Sequence, residues 1–193
     1  MKKLIFLIIL IPASILISAE KDKIREFNQN RNSINMYAMT VLGSWAIANI
    51  GISGYRYYNS TGKTKYFHQM NAAWNFVNLS IAGLGYYGAA NPETGLSLGK
   101  TISEQHNIET LLLVNGALDA AYIMTGFFLK ERGLRKSSNR LKGYGNSLIL
   151  QGSFLLAFDA VLFYIHNNHS TELGNILENI NISANYISLT FKL

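Results

Sequence analysis

Polar residues recur at intervals of three and four through stretches that are otherwise apolar, and this pattern predicts helices along most of the chain. The clearest case is HQMNAAWNFVNL (68–79), where His68, Asn71, Asn75 and Asn78 are spaced three, four and three. All four fall on one face of a helix whose other faces carry Ala, Val, Phe, Trp and Leu. Four such stretches are predicted: roughly 35–55, 66–88, 107–129 and 146–166. Each has the ~20 residues that a helix rising 1.5 Å per residue needs to cross hydrocarbon. Strands would repeat their polar positions every second residue, and these do not.

The other three stretches carry polar faces of their own. Trp45, Asn49 and Ser53 are four apart; Asn115 and Asp119 are four apart, with Tyr122 and Thr125 close to the same face; Gln151, Asp159 and His166 are separated by eight and seven. Polar side chains are costly in hydrocarbon, so these should turn inward and bond one another. The candidate interior set is therefore Asn49, Asn71, Asn75, Asn78, Asn115, Asp119, Gln151 and Asp159. The amides can be read as adhesive, since interhelical hydrogen bonds in membranes contribute ~0.6 kcal/mol each. The two carboxylates ask for more, because each costs ~2.5–3.5 kcal/mol at mid-membrane on insertion scales. Proton handling or ligand binding stands beside a structural role for them. Gly43, Ala48, Gly51, Gly116 and Ala120 are expected where helix backbones approach closely.

The chain ends refine this picture. Lys2 and Lys3, the apolar run 4–17 and the small residues of ISA (17–19) read as a signal peptide cleaved before Glu20. The rest, 20–193, forms a single membrane domain. Starting outside the cytoplasm, the chain would place two basic connections inside. They are 56–65, with Arg56, Lys63 and Lys65, and 130–143, with Lys130, Arg132, Arg135, Lys136, Arg140 and Lys142. The opposite loop, 89–106, has only Lys100, and the tail, 167–193, only Lys192. This agrees with the positive-inside rule and sets both mature termini outside the cytoplasm of a bacterial inner membrane, with Lys21, Lys23, Arg25 and Arg31 dissenting mildly. The expected fold is an all-α four-helix transmembrane bundle with short basic cytoplasmic loops. The tail reads as a short interfacial helix over 173–180 followed by an extended end at 187–193. Ser138 and Ser103 are candidate starts of the fourth and third helices.

Composition narrows the function classes. Of the residues, 49% are hydrophobic and 15% charged, with a net charge of +6. The basic cluster lies between apolar stretches, which favours contact with anionic lipid headgroups over nucleic acid. There is no cysteine, which excludes disulfides, thiolate catalysis and iron–sulfur ligation. No glycine-rich phosphate loop and no serine–histidine–acid set can be assembled, so an enzyme is not the expectation.

One constellation opposes that reading. His106 and Glu109 are three apart, as are His166 and His169, and the topology sets both pairs at the same membrane surface. They could ligate a divalent metal, or His106 and His166 a b-type haem. His68 lies at the opposite surface. A weak internal repeat lays 42–55 on 114–127, matching Ala48 to Ala120 and Gly54 to Gly126. It would make the protein two parallel helical hairpins.

The segments WAIANI, YFHQMNAAWNFVN, NGALDAAYIMTG and RLKGYGNSLILQGSFLLAFD resemble an uncharacterised family of small bacterial membrane proteins with four spans, over about 36–166. The resemblance implies topology and no activity, cofactor or catalytic residue. Three functions remain open from the sequence: binding or passing a small polar solute or proton, a metal or haem enzyme, and a structural assembly subunit. Membrane lipids and further copies of the chain are the expected partners.

Overall fold

The computed structural model describes the backbone of residues 2–190, and the side chains of 18, 21–174 and 176. Among the described residues the fold is four antiparallel helices: α1 (Lys2–Tyr58), α2 (Gly62–Ala90), α3 (Leu98–Arg135) and α4 (Asn139–Thr190). The connections are short turns. Ser97 opens α3, its Oγ accepting from the Lys100 N–H at 3.3 Å, so this helix begins six residues before the expected Ser103. Ser138 takes the expected place before α4, its Oγ accepting from the Leu141 N–H. Ser137, at φ 51°, supplies the left-handed residue that ends α3.

Three helices contain segments long and apolar enough to cross a membrane: Lys21–Tyr58, Leu98–Arg135 and Asn139–Gly174. Of the four expected spans, α2 meets the length and not the composition. With 29 residues it has the length, about 43 Å at 1.5 Å per residue. Its composition falls short because Asn71, Asn75 and Asn78 occupy its buried face.

The helices run further than the apolar stretches because buried positions continue past them. Along α4 the buried residues Gly145, Leu148, Gly152, Asp159, Leu162, His166, His169, Leu173 and Ile176 keep to one heptad pattern of three- and four-residue steps. That is the seam of helices packed at a shallow crossing angle. The polar segment 20–33 continues α1 for the same reason: Ile24 and Phe27 join Leu173 and Ile176 in one buried cluster, with Leu98 against it. The tail is therefore neither a separate interfacial helix nor extended over 187–190, which is helical; its last three residues lie outside the described residues.

α4 is the central helix. It packs on α3 along its length and on α2 through one half, and α1 packs on α2. Close approach is set by glycines seven apart, Gly126 and Gly133 on α3 and Gly145 and Gly152 on α4. A Cβ on Gly126 would meet the Gly145 carbonyl at 2.8 Å, and one on Gly152 the Asp119 carbonyl at 2.9 Å. Gly51 has open space around it, and Ala48 and Ala120 are exposed, so these three are not the contact points expected of them. The expected repeat also differs in packing, since Gly54 lies in the open where its counterpart Gly126 is wedged against α4. The backbones of α2 and α3 stay apart. The gap between them holds the cavity described next.

Candidate functional site

The interior polar groups divide into an amide cluster and an acid pair. The cluster is built by α1, α2 and α4 where all three converge. Asn71 donates from Nδ2 to Asn49 Oδ1 and to Ser53 Oγ, both at 2.8 Å, and its own Oδ1 accepts from Gln151 Nε2. Gln151 Oε1 in turn accepts from Trp45 Nε1 at 3.2 Å and, more weakly, from Asn78 Nδ2 at 3.5 Å. Trp45 is held flat on Phe154, ring centroids 3.9 Å apart. His68 Nδ1 meets Ser53 Oγ at 3.2 Å and extends the network toward the α1–α2 turn. Asn75 donates to the Asn71 carbonyl within its own helix and leaves Oδ1 without a partner. Seven side chains thus answer one another in the interior of the bundle.

Asp119 on α3 and Asp159 on α4 lie past this cluster, 3% and 7% exposed. Gly152 brings the two helices close together, and both carboxyl groups belong to the lining of one cavity. Asp119 Oδ2 has no partner among the described residues. Neither does Trp74 Nε1, on α2, whose ring meets Tyr122 of α3 edge-on at 4.8 Å. That aromatic contact bridges the gap between α2 and α3, and the cavity begins on its outer side.

The cavity, of about 640 Å³, runs from Trp74, Tyr122, Asn78, Asn115, Asp119 and Asp159 at its floor to the 92–96 turn at its mouth. Its walls between these ends are mostly apolar, with Met39, Leu42, Ile81, Ile108, Leu112 and Phe158, and Asn32 and Asn35 of α1 join them toward the mouth. Arg31 and Glu104 flank the mouth. Arg31 is 4% exposed and donates from Nη1 to the Thr101 carbonyl at 3.1 Å, tying α1 to α3. A buried donor near a helix start is thereby satisfied and the outer half of the bundle held together.

The structure thus brings together Asn49, Asn71, Asn78 and Gln151 in one network, with Asn75 beside it, and sets Asn78, Asn115, Asp119 and Asp159 on the cavity. It does not assemble the histidine constellation. Among the described residues no three His, Asp or Glu side chains are placed to hold a metal. His106 is exposed. His166 is fully buried, its Nε2 on Asn35 Oδ1 at 3.0 Å; His169 is stacked on Phe27 at 4.0 Å with its Nε2 on the Phe27 carbonyl. Glu109 accepts from Gln105 Nε2. The two imidazoles on α4 fasten α1 to α4, which is why the heptad pattern runs through them. Trp74 and Arg31 are the site residues that polar periodicity alone passes over. Trp74 could have been found as the residue between Asn71 and Asn78 that shares their face with Asn75.

Residues 41–160, more than half of the chain, match a family of unknown function (DUF6992), and the chain belongs to that family. No curated protein and no solved structure matches it. The matched region takes in both the amide cluster and the acid pair, and leaves out Arg31, His166 and His169.

Proposed function

We propose that this member of the family of unknown function (DUF6992) is an integral membrane protein that binds a small ligand inside its bundle, at Asp119 and Asp159. The observation that carries this reading is the cavity ending on two buried carboxyl groups, one of them with a free oxygen. Polar groups in hydrocarbon are otherwise paired, so an unanswered carboxyl oxygen on a cavity is a site waiting for a partner.

Binding fits better than passage. The cavity opens at one end only along the bundle, and past Trp74 and Tyr122 the amide cluster fills the interior. Carboxamides donate and accept hydrogen bonds without giving up a proton, so Asn71, Gln151 and Asn78 make a poor proton relay. The cluster reads as the adhesive that holds three helices, and the acid pair as the working part. In the membrane, α2 would cross as a fourth span with its amide face turned to α1 and α4. A cleaved signal peptide, the nine basic residues of the two inner connections and the positive-inside rule favour an inner membrane with both mature termini outside the cytoplasm.

Native mass spectrometry of the full chain, released from its own membranes in mild detergent, tests the reading. A bound small molecule present in the wild type and lost from both Asp119→Asn and Asp159→Asn is the expected result. A wild type with no bound mass, or one that both variants retain, would sink it.

A further inference from the structure

We infer that the ligand is a single-chain amphiphile with a hydroxyl head, entering from the bilayer between α2 and α3 and hydrogen-bonding at Asp119 and Trp74; this rests on the binding reading above. The route follows from which residues line the cavity. Val77 and Ile81 on α2, and Leu111 and Leu118 on α3, line it and yet are each about half exposed. A wall that is also outer surface is a slot, and here it faces where acyl chains would lie. No backbone contact between α2 and α3 closes it.

The shape fixes a chain rather than a compact solute. Lining residues on α2 run from Trp74 to Ala89, so at 1.5 Å per residue the cavity is about 22 Å long. An extended chain suits a slot of that length. Between the polar floor and a mouth that carries Arg31, Asn32, Asn35 and Glu104, the walls are apolar and suit hydrocarbon.

The head is chosen by two buried, unanswered atoms that belong to residues of the floor. Trp74 Nε1–H can only donate, so it needs an acceptor. Asp119 Oδ2 needs a donor when ionised and an acceptor when it carries the proton of the acid pair. A hydroxyl donates one hydrogen bond and accepts two, and so answers both atoms in either state. A protonated amine cannot accept from Trp74. A quaternary ammonium makes neither bond. A carboxylate would bring a third acid beside Asp119 and Asp159 with a single N–H to offset it. A ketone or ether cannot donate to an ionised Asp119.

Photolabelling tests this with a diazirine-bearing long-chain primary alcohol, on the purified full chain in lipid nanodiscs, with cross-links mapped to peptides. Labelling is expected within 74–81 and 118–122, displaced at least tenfold better by hexadecanol than by its methyl ether or by palmitate. Trp74→Phe and Asp119→Leu should each reduce it about tenfold, while Val41→Ala on the outer face of α1 leaves it unchanged. Equal displacement by the methyl ether, or label spread over outer-facing residues such as Val41 and Tyr164, would overturn the proposal. The two readings fail differently. A native bound mass that depends on the acid pair but is not displaced by hexadecanol overturns the hydroxyl amphiphile alone, whereas no bound mass and no slot labelling overturns both.

Discussion

From Ser53 to Gln151 the interior side chains close one network, and at Trp74 and Asp119 polar atoms are left without partners. Both regions come from the same sequence device, a polar residue every third or fourth position on a helix with apolar flanks. In the first, three helices converge and seven side chains close a network that leaves one oxygen, Asn75 Oδ1, unmatched. In the second, α2 leans away from α3 beside a cavity, and Asp119 and Trp74, which line it, each keep one buried polar atom without a partner. Unmatched polar atoms in hydrocarbon cost more than adhesion returns. The first region can thus be explained by stability alone, and the second is where we propose that a ligand binds.

The comparison breaks most completely at Gly152, which holds the two regions in register. A side chain there meets the Asp119 carbonyl and Ile123. Gly152→Leu should cost ~3 kcal/mol or more, since overpacking against backbone cannot relax by a rotamer change. The readout is unfolding by denaturing detergent in mixed micelles, and a stable Gly152→Leu protein would mean that α3 and α4 are not in contact there. Next is Gln151→Leu, which strips partners from Asn71 Oδ1, Trp45 Nε1 and Asn78 Nδ2 at once. Each buried orphan costs about 1–3 kcal/mol in water-soluble proteins and less in membranes, so a total loss of ~2 kcal/mol is expected. Trp45→Phe keeps the stacking on Phe154 and removes one N–H, and should lose only ~0.6 kcal/mol. Unfolding midpoints of the three variants side by side should fall in that order.

Much of the fold was legible because long apolar helices are written in composition and period. The four elements, their antiparallel order and the inward turn of the amides all follow from spacing and length. Asn71 and Gln151, 80 residues apart, could each be assigned to the interior, but nothing in either helix says that they meet. The same holds for Asp119 and Asp159. Each signals cost, and only the glycine ladder at 126, 133, 145 and 152, read as a heptad, could have paired α3 with α4. The histidines misled for a related reason. His106 and Glu109 look like a ligand pair by spacing, yet a three-residue step does not say which way a helix face turns. Here His106 faces out while Glu109 bonds Gln105. The emptiness between α2 and α3 was least legible, since a gap belongs to no residue.

The smallest expected effect on stability carries the most weight for the comparison. Asp119→Asn keeps the shape of the side chain and its capacity to hydrogen bond, and it removes an ionisable group from hydrocarbon. If the acid pair were adhesive like the amide cluster, the change should behave like Gln151→Leu in kind and lower the unfolding midpoint. If the pair is a binding site whose burial is a standing cost, the midpoint should stay within ~0.5 kcal/mol of the wild type or rise, because insertion scales charge ~2.5–3.5 kcal/mol for a mid-membrane carboxylate and less for an amide. The bound molecule should vanish at the same time. Stability kept and ligand lost separates the two regions by function. A fall in both together would make the acid end a second patch of adhesive, and the cavity beside it a packing defect.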